Sequence, residues 1–445
     1  MRPNPNSICL SAIALATGDV NLRNLWFNSF GSGFVRQCAT AIFCAGMVSS
    51  ARADWPRWLG PTRDAHATKG DYAPQQLPSE PKPVWKIASR GGFSSPVVSA
   101  GKLVYLDEDG TDEIAHLLDA ASGKELWKVS YSPMFEDEWG PGPRSTPILD
   151  GNLVFVQSCR GDFRCLSLED GHTVWKKNFV ADFGAIFAGM TVQEGAATRR
   201  GNNGCGIVDG DEIIVPVGAG TGACLVCFKK RTGDVVWKSQ SDEVAYSSFQ
   251  VATLAGVKQV VAFTANYLMG IDRATGDLLW RVPFVTAARR HASTPVIFDD
   301  KIVVNSHTFG LACTRISRNG DKFEAAPAWV NKSIKINLAT PVLVDGFLYT
   351  HGARADYDCV DAQTGELKWS QPGFGKDVSF TLVLGKNLLV LSDKGELFLL
   401  EANLEKYTEL SRAQVCGKTW SCPAYVDGKL FVRDSRSLAC FDLKH

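Results

Sequence analysis

The sequence predicts an all-β fold: an eight-bladed β-propeller of four-stranded antiparallel blades, closed by an N-terminal strand. Three observations predict it. A phrase of fixed form recurs along the chain, its last copy stops one strand short, and an orphan strand stands before the first copy.

The phrase is a small residue, a proline, an apolar alternation around Asp-Gly, then a second alternation ending in Asp, a Thr/Ser-Gly turn and a tryptophan. The first copy runs Ser95-Pro96-Val97-Val98, Gly101-Lys102-Leu103 and Leu118-Asp119 to Gly123 and Trp127. The second has Thr146-Pro147, Asp150-Gly151 and Asp170-Gly171 before Trp175. The third lacks the proline but keeps Val208-Asp209-Gly210 and Thr232-Gly233 before Trp237, and the fourth ends in Thr275-Gly276 and Trp280. The fifth opens with Thr294-Pro295 and reaches Trp329 by a less regular route; the sixth has Thr340-Pro341, Asp345-Gly346 and Thr364-Gly365 before Trp369. The seventh is degenerate, and the eighth opens with Cys422-Pro423 and Asp427-Gly428 and stops after Phe441-Asp442-Leu443.

Short alternating runs are strands that bury one face at a time. Asp-Gly between two of them is a hairpin turn that tolerates positive φ, and Thr-Gly-Asp/Glu turns the third strand into the fourth. One four-stranded sheet cannot bury both its faces, so neighbours stack around an axis. Pro83-Val84-Trp85-Lys86-Ile87 supplies the strand and the tryptophan that the last copy lacks, which removes the open edges. Trp85, Trp127, Trp175, Trp237, Trp280, Trp329 and Trp369 then occupy equivalent packing places, with none in the seventh blade. Counting back from each turn glycine aligns Leu117, Cys165, Cys227, Gly270 and Cys359, with Cys440 in the unfinished blade. A place filled by Leu, Cys and Gly is a packing position, so Cys224-Leu225-Val226-Cys227 is read as part of a strand, not as a redox or zinc motif.

Lys+Arg and Asp+Glu both number 47, giving zero formal net charge. Nothing in that balance favours nucleic acid or an anionic membrane surface as partner. Arg36 precedes an apolar run from Cys38 to Val48, and Ala51-Arg52-Ala53 follows as an A-x-A cleavage pattern. The run is too short to span a bilayer of roughly 30 Å as a helix. The expected organisation is a signal peptide over residues 1–53 cleaved after Ala53, a lead-in over 54–82 and the propeller over 83–445. The mature protein is expected to be a periplasmic or extracellular monomer without a transmembrane span. Ten of the 13 cysteines remain after cleavage. Two pairs that flank short loops, Cys159 with Cys165 and Cys416 with Cys422, would bridge if their Cα atoms approach within about 7 Å.

The Ala-x-Thr/Ser-Gly-x-x-x-Trp phrase resembles the tryptophan-docking repeat of pyrroloquinoline-quinone (PQQ) type propellers, over nearly all of the chain from Trp55 onward. Asp54-Trp55-Pro56-Arg57-Trp58-Leu59-Gly60-Pro61, Gly142-Pro143-Arg144-Ser145-Thr146-Pro147 and Trp420-Ser421-Cys422-Pro423 resemble secreted PQQ-like propellers common in planctomycete-type bacteria. More distantly the chain is similar to the outer-membrane-assembly lipoprotein BamB and to quinoprotein alcohol dehydrogenases. The resemblance implies the fold strongly and a function weakly, because one propeller hosts many activities. The dehydrogenases carry an adjacent Cys-Cys pair and a Glu/Asn/Asp calcium set. This chain has no adjacent cysteines, and no such set is assignable. It also has no lipid-attachment cysteine near the cleavage site. The first reading is therefore an exported binding or scaffold module, with no cofactor or metal assigned. The alternative is a quinoprotein-like oxidoreductase holding PQQ and calcium in the channel.

Candidate site residues lie in the connections. Glu136-Asp137-Glu138-Trp139, with Arg144 after it, is read as a solvated acidic loop, with a metal or amine site as the alternative. Arg289-Arg290-His291, with His307 beyond, is a candidate anion cluster. The connection from Asn178 to Cys205 (Phe183, Phe187, Met190, Glu194, Arg199, Arg200 and Asn202-Asn203-Gly204 among it) is expected to cover one end of the channel. Residues just before each small-Pro phrase should gather at one mouth: Arg144, Arg290, His291 and Trp420, with Asn203 in the third blade. Such a mouth suits a small anionic or aromatic ligand or an acidic loop of a protein partner.

Overall fold

The computed structural model describes residues 54–186, 201–286 and 289–444. The expected signal peptide lies outside these residues, as do Phe187, Met190, Glu194, Arg199 and Arg200. The remainder forms eight four-stranded antiparallel sheets. Blade 1 runs from Val97–Ser99 at the centre through Lys102–Glu108 and Asp112–Asp119 to Glu125–Pro133 at the rim. Blades 2 to 7 repeat that order over 148–178, 207–239, 250–283, 296–331, 342–372 and 379–414. Blade 8 joins Ala424–Val426, Lys429–Arg433 and Ser437–Asp442 to Pro83–Ala88, with Trp85 opposite Cys440 and Ala88 opposite Ser437. The expected closure is therefore present. Among the described residues no helix is long and apolar enough to cross a membrane.

The turns follow from their residues. Asp345 and Gly346 have φ of +47° and +85°, and Asp427 and Gly428 have +43° and +86°. Two successive positive φ values match the right-handed twist of the strands they join. At the turn between third and fourth strands, glycine meets a second demand. A Cβ on Gly233 would sit 2.6 Å from the ring of Trp175, and one on Gly276 would sit 2.8 Å from Trp237. Each tryptophan thus lies flat on the next blade's turn. The indole N–H donates to a carbonyl there from Trp85 to Ala120 at 3.0 Å, from Trp127 to Leu168 at 2.9 Å, from Trp175 to Lys230 at 3.0 Å and from Trp329 to Ala362 at 3.1 Å, whereas Trp237 Nε1 is buried without a partner among the described residues.

Two blades depart from the rule for physical reasons. Blade 5 has a long hairpin, Gly310–Asn319 and Lys322–Asn331, in place of the Thr-Gly turn. Trp280 therefore has no turn glycine to dock on and donates to Gln259 of its own blade at 2.7 Å. Its ring closes over Gly270, where a Cβ would collide with it, which explains glycine at that third-strand position. In blade 7 the residue opposite Leu399 is Ser411 instead of tryptophan. Ser411 Oγ accepts from the backbone N–H of buried Leu77, so the lead-in occupies this place.

The lead-in is more than an approach to the closing strand. It crosses the channel. Trp55 pairs with Val98 of blade 1, and the Pro56 carbonyl accepts from Leu149 of blade 2. Arg63 donates to Gly206 of blade 3, Trp58 Nε1 donates to Thr294 of blade 5 at 2.9 Å, and Ala65 and Ala67 bond Val383 of blade 7. Residues 54–67 form a plug across the ring.

All ten described cysteines are free. Cys165, Cys227, Cys313, Cys359 and Cys440 each sit opposite a blade tryptophan. Neither expected disulfide is present. Cys159 points to Asn203 at the channel and Cys165 to Lys230 of the next blade, so the two thiols diverge. Cys422 turns to the carbonyl of Pro423. The helix Phe179–Phe183 packs on blade 3, with Phe183 against Phe228, and does not lie over the channel.

Candidate functional site

Every blade is entered through three equivalent positions. The first of each trio is Phe93, Arg144, Asn203, Tyr246, Ala292, Leu338, Val378 or Trp420, and all eight line one cavity of about 270 Å³. The second is small throughout: serine in six blades, Gly204 in blade 3 and Ala339 in blade 6. These second residues pack between neighbouring blades, where a larger side chain would not fit. Ser247 Oγ donates to the Ser293 carbonyl at 2.8 Å, and a Cβ on Gly204 would lie 2.6 Å from the Ser247 carbonyl oxygen. The third turns back to the cavity at Thr146, Cys205, Ser248 and Phe380. A strand's two-residue period produces this ring.

The plug makes the cavity a cup. Trp58 forms part of its lining from below and stands perpendicular to Phe380, with ring centroids 6.2 Å apart. Phe93 and Trp139 lie 5.2 and 5.4 Å from Trp420. Trp139 projects from a two-residue hairpin, Glu136–Asp137 against Gly140–Pro141, and is 52% exposed at the rim. Six aromatic side chains thus line the site: Trp58, Phe93, Trp139, Tyr246, Phe380 and Trp420.

Arg144 is committed to this hairpin. Its two terminal nitrogens donate to the two Asp137 oxygens at 2.7 and 2.6 Å, and one also donates to the Gly140 carbonyl. The guanidinium lies between Phe93 and Phe135, 5.2 and 5.0 Å from their centroids. The expectation of a solvated acidic loop is corrected at its centre. The Asp137 side chain is 9% exposed and paired, while Glu136 and Glu138 remain exposed. The pairing neutralises Arg144 and fixes Trp139 over the cup.

Arg290 lines the cup with its charge less engaged. One terminal nitrogen donates to Asn337 Oδ1 at 3.1 Å, and Nε has no partner among the described residues. Asn203 accepts from the Cys159 thiol at 3.1 Å. His291 does not belong to the site. It is 0% exposed, stacked on Phe263 at 4.2 Å, with Nδ1 bonded to the Thr264 carbonyl. Burial pushes its pKa down to about 4 against that bond, so it is neutral at pH 7. The expectation counted blade 5 one residue early. Ala292 is the ring position, Arg290 two residues before it shares its side, and His291 between them faces into the blade. His307 also lies outside the cup; burial, Arg290 and Lys335 lower its pKa.

Sequence reasoning missed Trp58, Phe93, Tyr246 and Phe380, and named Trp139 only as part of the acidic loop. Phe93 and Tyr246 precede Ser94-Ser95 and Ser247-Ser248 at the offset Arg144 has from Ser145-Thr146, so that count would have found them. Trp58 carried no such signal.

Residues 110–371 match the family model described as outer membrane protein assembly factor BamB, a PQQ-repeat model, over more than half of the chain. The chain belongs to this BamB-type PQQ-repeat family. The BamB structure from Moraxella catarrhalis superposes with a TM-score of 0.54 at 14% identity, covering 82% of this chain and 98% of that one. A computationally designed protein superposes at 0.55 with 10% identity, covering 84% and 100%. The quinohemoprotein alcohol dehydrogenase of Comamonas testosteroni gives 0.47 at 14% identity over 88% and 80%, too loose to carry residue roles across. At these identities the likeness is one of fold. Among curated proteins none matches significantly.

The cup does not fit a quinone–calcium pair. Calcium takes roughly six to eight oxygen ligands, carboxylates prominent among them. Among the described residues Asp377 is the one carboxylate lining the cup, and Asp137, which does not line it, is held by Arg144. Among the described residues no group of three or more His, Cys, Asp or Glu side chains gathers to hold a metal ion.

Proposed function

We propose that this BamB-family propeller is an exported, monomeric binding module whose aromatic cup takes a planar aromatic group carrying a carboxylate. The observation that supports it is a ring of eight equivalent positions, three of them aromatic (Phe93, Tyr246 and Trp420), flanked by Trp139 and Phe380 and closed below by Trp58. A flat π-surface gains from offset stacking on Trp420 and Phe93. Arg290, which forms no ion pair among the described residues, offers unused N–H donors to a carboxylate. The cavity, near the lower end of the roughly 300–1,000 Å³ range for ligand sites, suits a bicyclic ligand or one aromatic side chain of a partner beside an acidic residue.

Titration of the protein's tryptophan fluorescence tests this. Naphthoate and indole carboxylate should quench saturably, and cyclohexane carboxylate should not. Arg290→Met should weaken the carboxylates by about 10–100-fold, the worth of a charge-assisted hydrogen bond, and leave an uncharged aromatic amide nearly unaffected. Trp420→Ala should weaken all of them. Absence of saturable quenching by any aromatic ligand, or binding unchanged in both variants, refutes the proposal.

A further inference from the structure

Asp377 lines the aromatic cup together with Arg290. Its side chain is 28% exposed, and its ion-pair partner among the described residues is Lys418, 3.9 Å away and 72% exposed. Such a pair contributes little, because water screens it and the lysine is free to swing away. Lys418 also rests over the Trp420 ring, 5.3 Å from its centroid.

The chain is shaped to hold Asp377 there. The backbone N–H groups of Lys376 and Asp377 donate to the two carboxylate oxygens of buried Asp393, each at 3.0 Å. Asp393 Oδ1 lies so close to Gly375 that a Cβ there would collide with it, and Gly375 has φ of +82°. The turn before blade 7 is therefore pinned through its backbone, and the Asp377 carboxylate is left to the cup.

Arg144 is cancelled by Asp137. Among the described lining residues, one cation (Arg290) and one carboxylate (Asp377) then remain without a short ion pair. They lie on one arc of the rim, where Arg290 leads into blade 5, Asn337 into blade 6, Asp377 into blade 7 and Trp420 into blade 8. Positive charge, amide, negative charge and flat ring follow one another in that order, and Asn337 Oδ1 accepts from Arg290 at 3.1 Å. A ligand with a carboxylate alone would meet the like charge of Asp377 in a half-enclosed cavity, where water screens less. A ligand with an ammonium next to its carboxylate matches both groups.

We propose that the cup takes a free aromatic amino acid, with its ring against Trp420, its carboxylate at Arg290 and its α-ammonium at Asp377 in place of Lys418. This rests on the reading of the cup as an aromatic carboxylate site and adds the ammonium to it.

Isothermal titration calorimetry with L-tryptophan, indole-3-propionate and tryptamine tests it, since the three share one ring and differ in their charged groups. Tryptophan should bind about tenfold more tightly than either analogue, the worth of one charge-assisted hydrogen bond. Asp377→Asn should weaken tryptophan and tryptamine by about tenfold and should not weaken indolepropionate. Indolepropionate binding as tightly as tryptophan would overturn the amino-acid assignment and leave the aromatic carboxylate site standing. Absence of binding by all three would overturn both. Equal losses of the three ligands in Asp377→Asn would make Asp377 a structural residue and overturn the assignment. If that variant does not fold, the wild-type comparison decides.

Discussion

Replacing Gly233 by alanine measures what the tryptophan docking contributes to the ring. Gly233 has φ of +73°, and its Cβ would lie 2.6 Å from Trp175. The left-handed backbone costs an L-residue about 1–2 kcal/mol. Moving Trp175 out of the way costs about 1–3 kcal/mol as overpacking. It also strains the 3.0 Å bond from Trp175 Nε1 to the Lys230 carbonyl, worth about 1 kcal/mol. Gly210 is the control. Its φ is +64° and nothing lies within 4 Å of its Cβ, so Gly210→Ala carries the backbone cost alone. Urea unfolding at equal m-values should therefore place Gly233→Ala roughly 2–4 kcal/mol below Gly210→Ala. Equal losses in the two variants would refute the docking argument.

Asp137→Ala should free the hairpin, red-shift Trp139 emission and speed proteolysis between 136 and 141; an unchanged spectrum and cleavage rate would mean that Arg144 does not hold it. Two buried groups oppose each other in the pH profile. Burial lowers His291 to about 4 from 6.5, so its contribution is complete above pH 6.5 and is lost as pH falls towards 4. Burial raises Glu113 to about 7 from 4.5, so its contribution is complete below pH 4.5 and is lost as pH rises through 7. Glu113→Gln should unmask a gain of roughly 3 kcal/mol between pH 4 and 6.5, which His291→Asn then removes; a flat profile in Glu113→Gln counts against both. Alkylation of the unfolded, non-reduced protein should label every cysteine from Cys159 to Cys440, and a retained disulfide would contradict the diverging thiols.

The ring was legible because its rule is local. A turn glycine and a tryptophan at fixed spacing describe one blade, and Trp85 ahead of the first copy announces the closure. The same count named the cup residues Arg144, Asn203 and Trp420 of blades 2, 3 and 8, left blades 1, 4, 6 and 7 unread, and failed in blade 5. There Arg290 and His291 drew attention by their chemistry, while the ring position is the featureless Ala292. Arg144 was found, but its pairing with Asp137 depends on how a two-residue hairpin folds back, which no spacing reports. The plug was illegible because residues 54–67 have no strand period. Their bonds run to carbonyls, hydroxyls and N–H groups of six different blades, and those partners exist only once the ring has closed. Ser411 marked the missing tryptophan of blade 7, but Leu77 could not be matched to it from sequence.

The most direct measurement is a crystal structure of the protein soaked with an aromatic carboxylate. The account predicts density for the ring against Trp420 and Phe93, above Trp58, with the carboxylate at Arg290. A ligand bound elsewhere on the propeller, or a cup left without ligand at concentrations that saturate binding in solution, would contradict it.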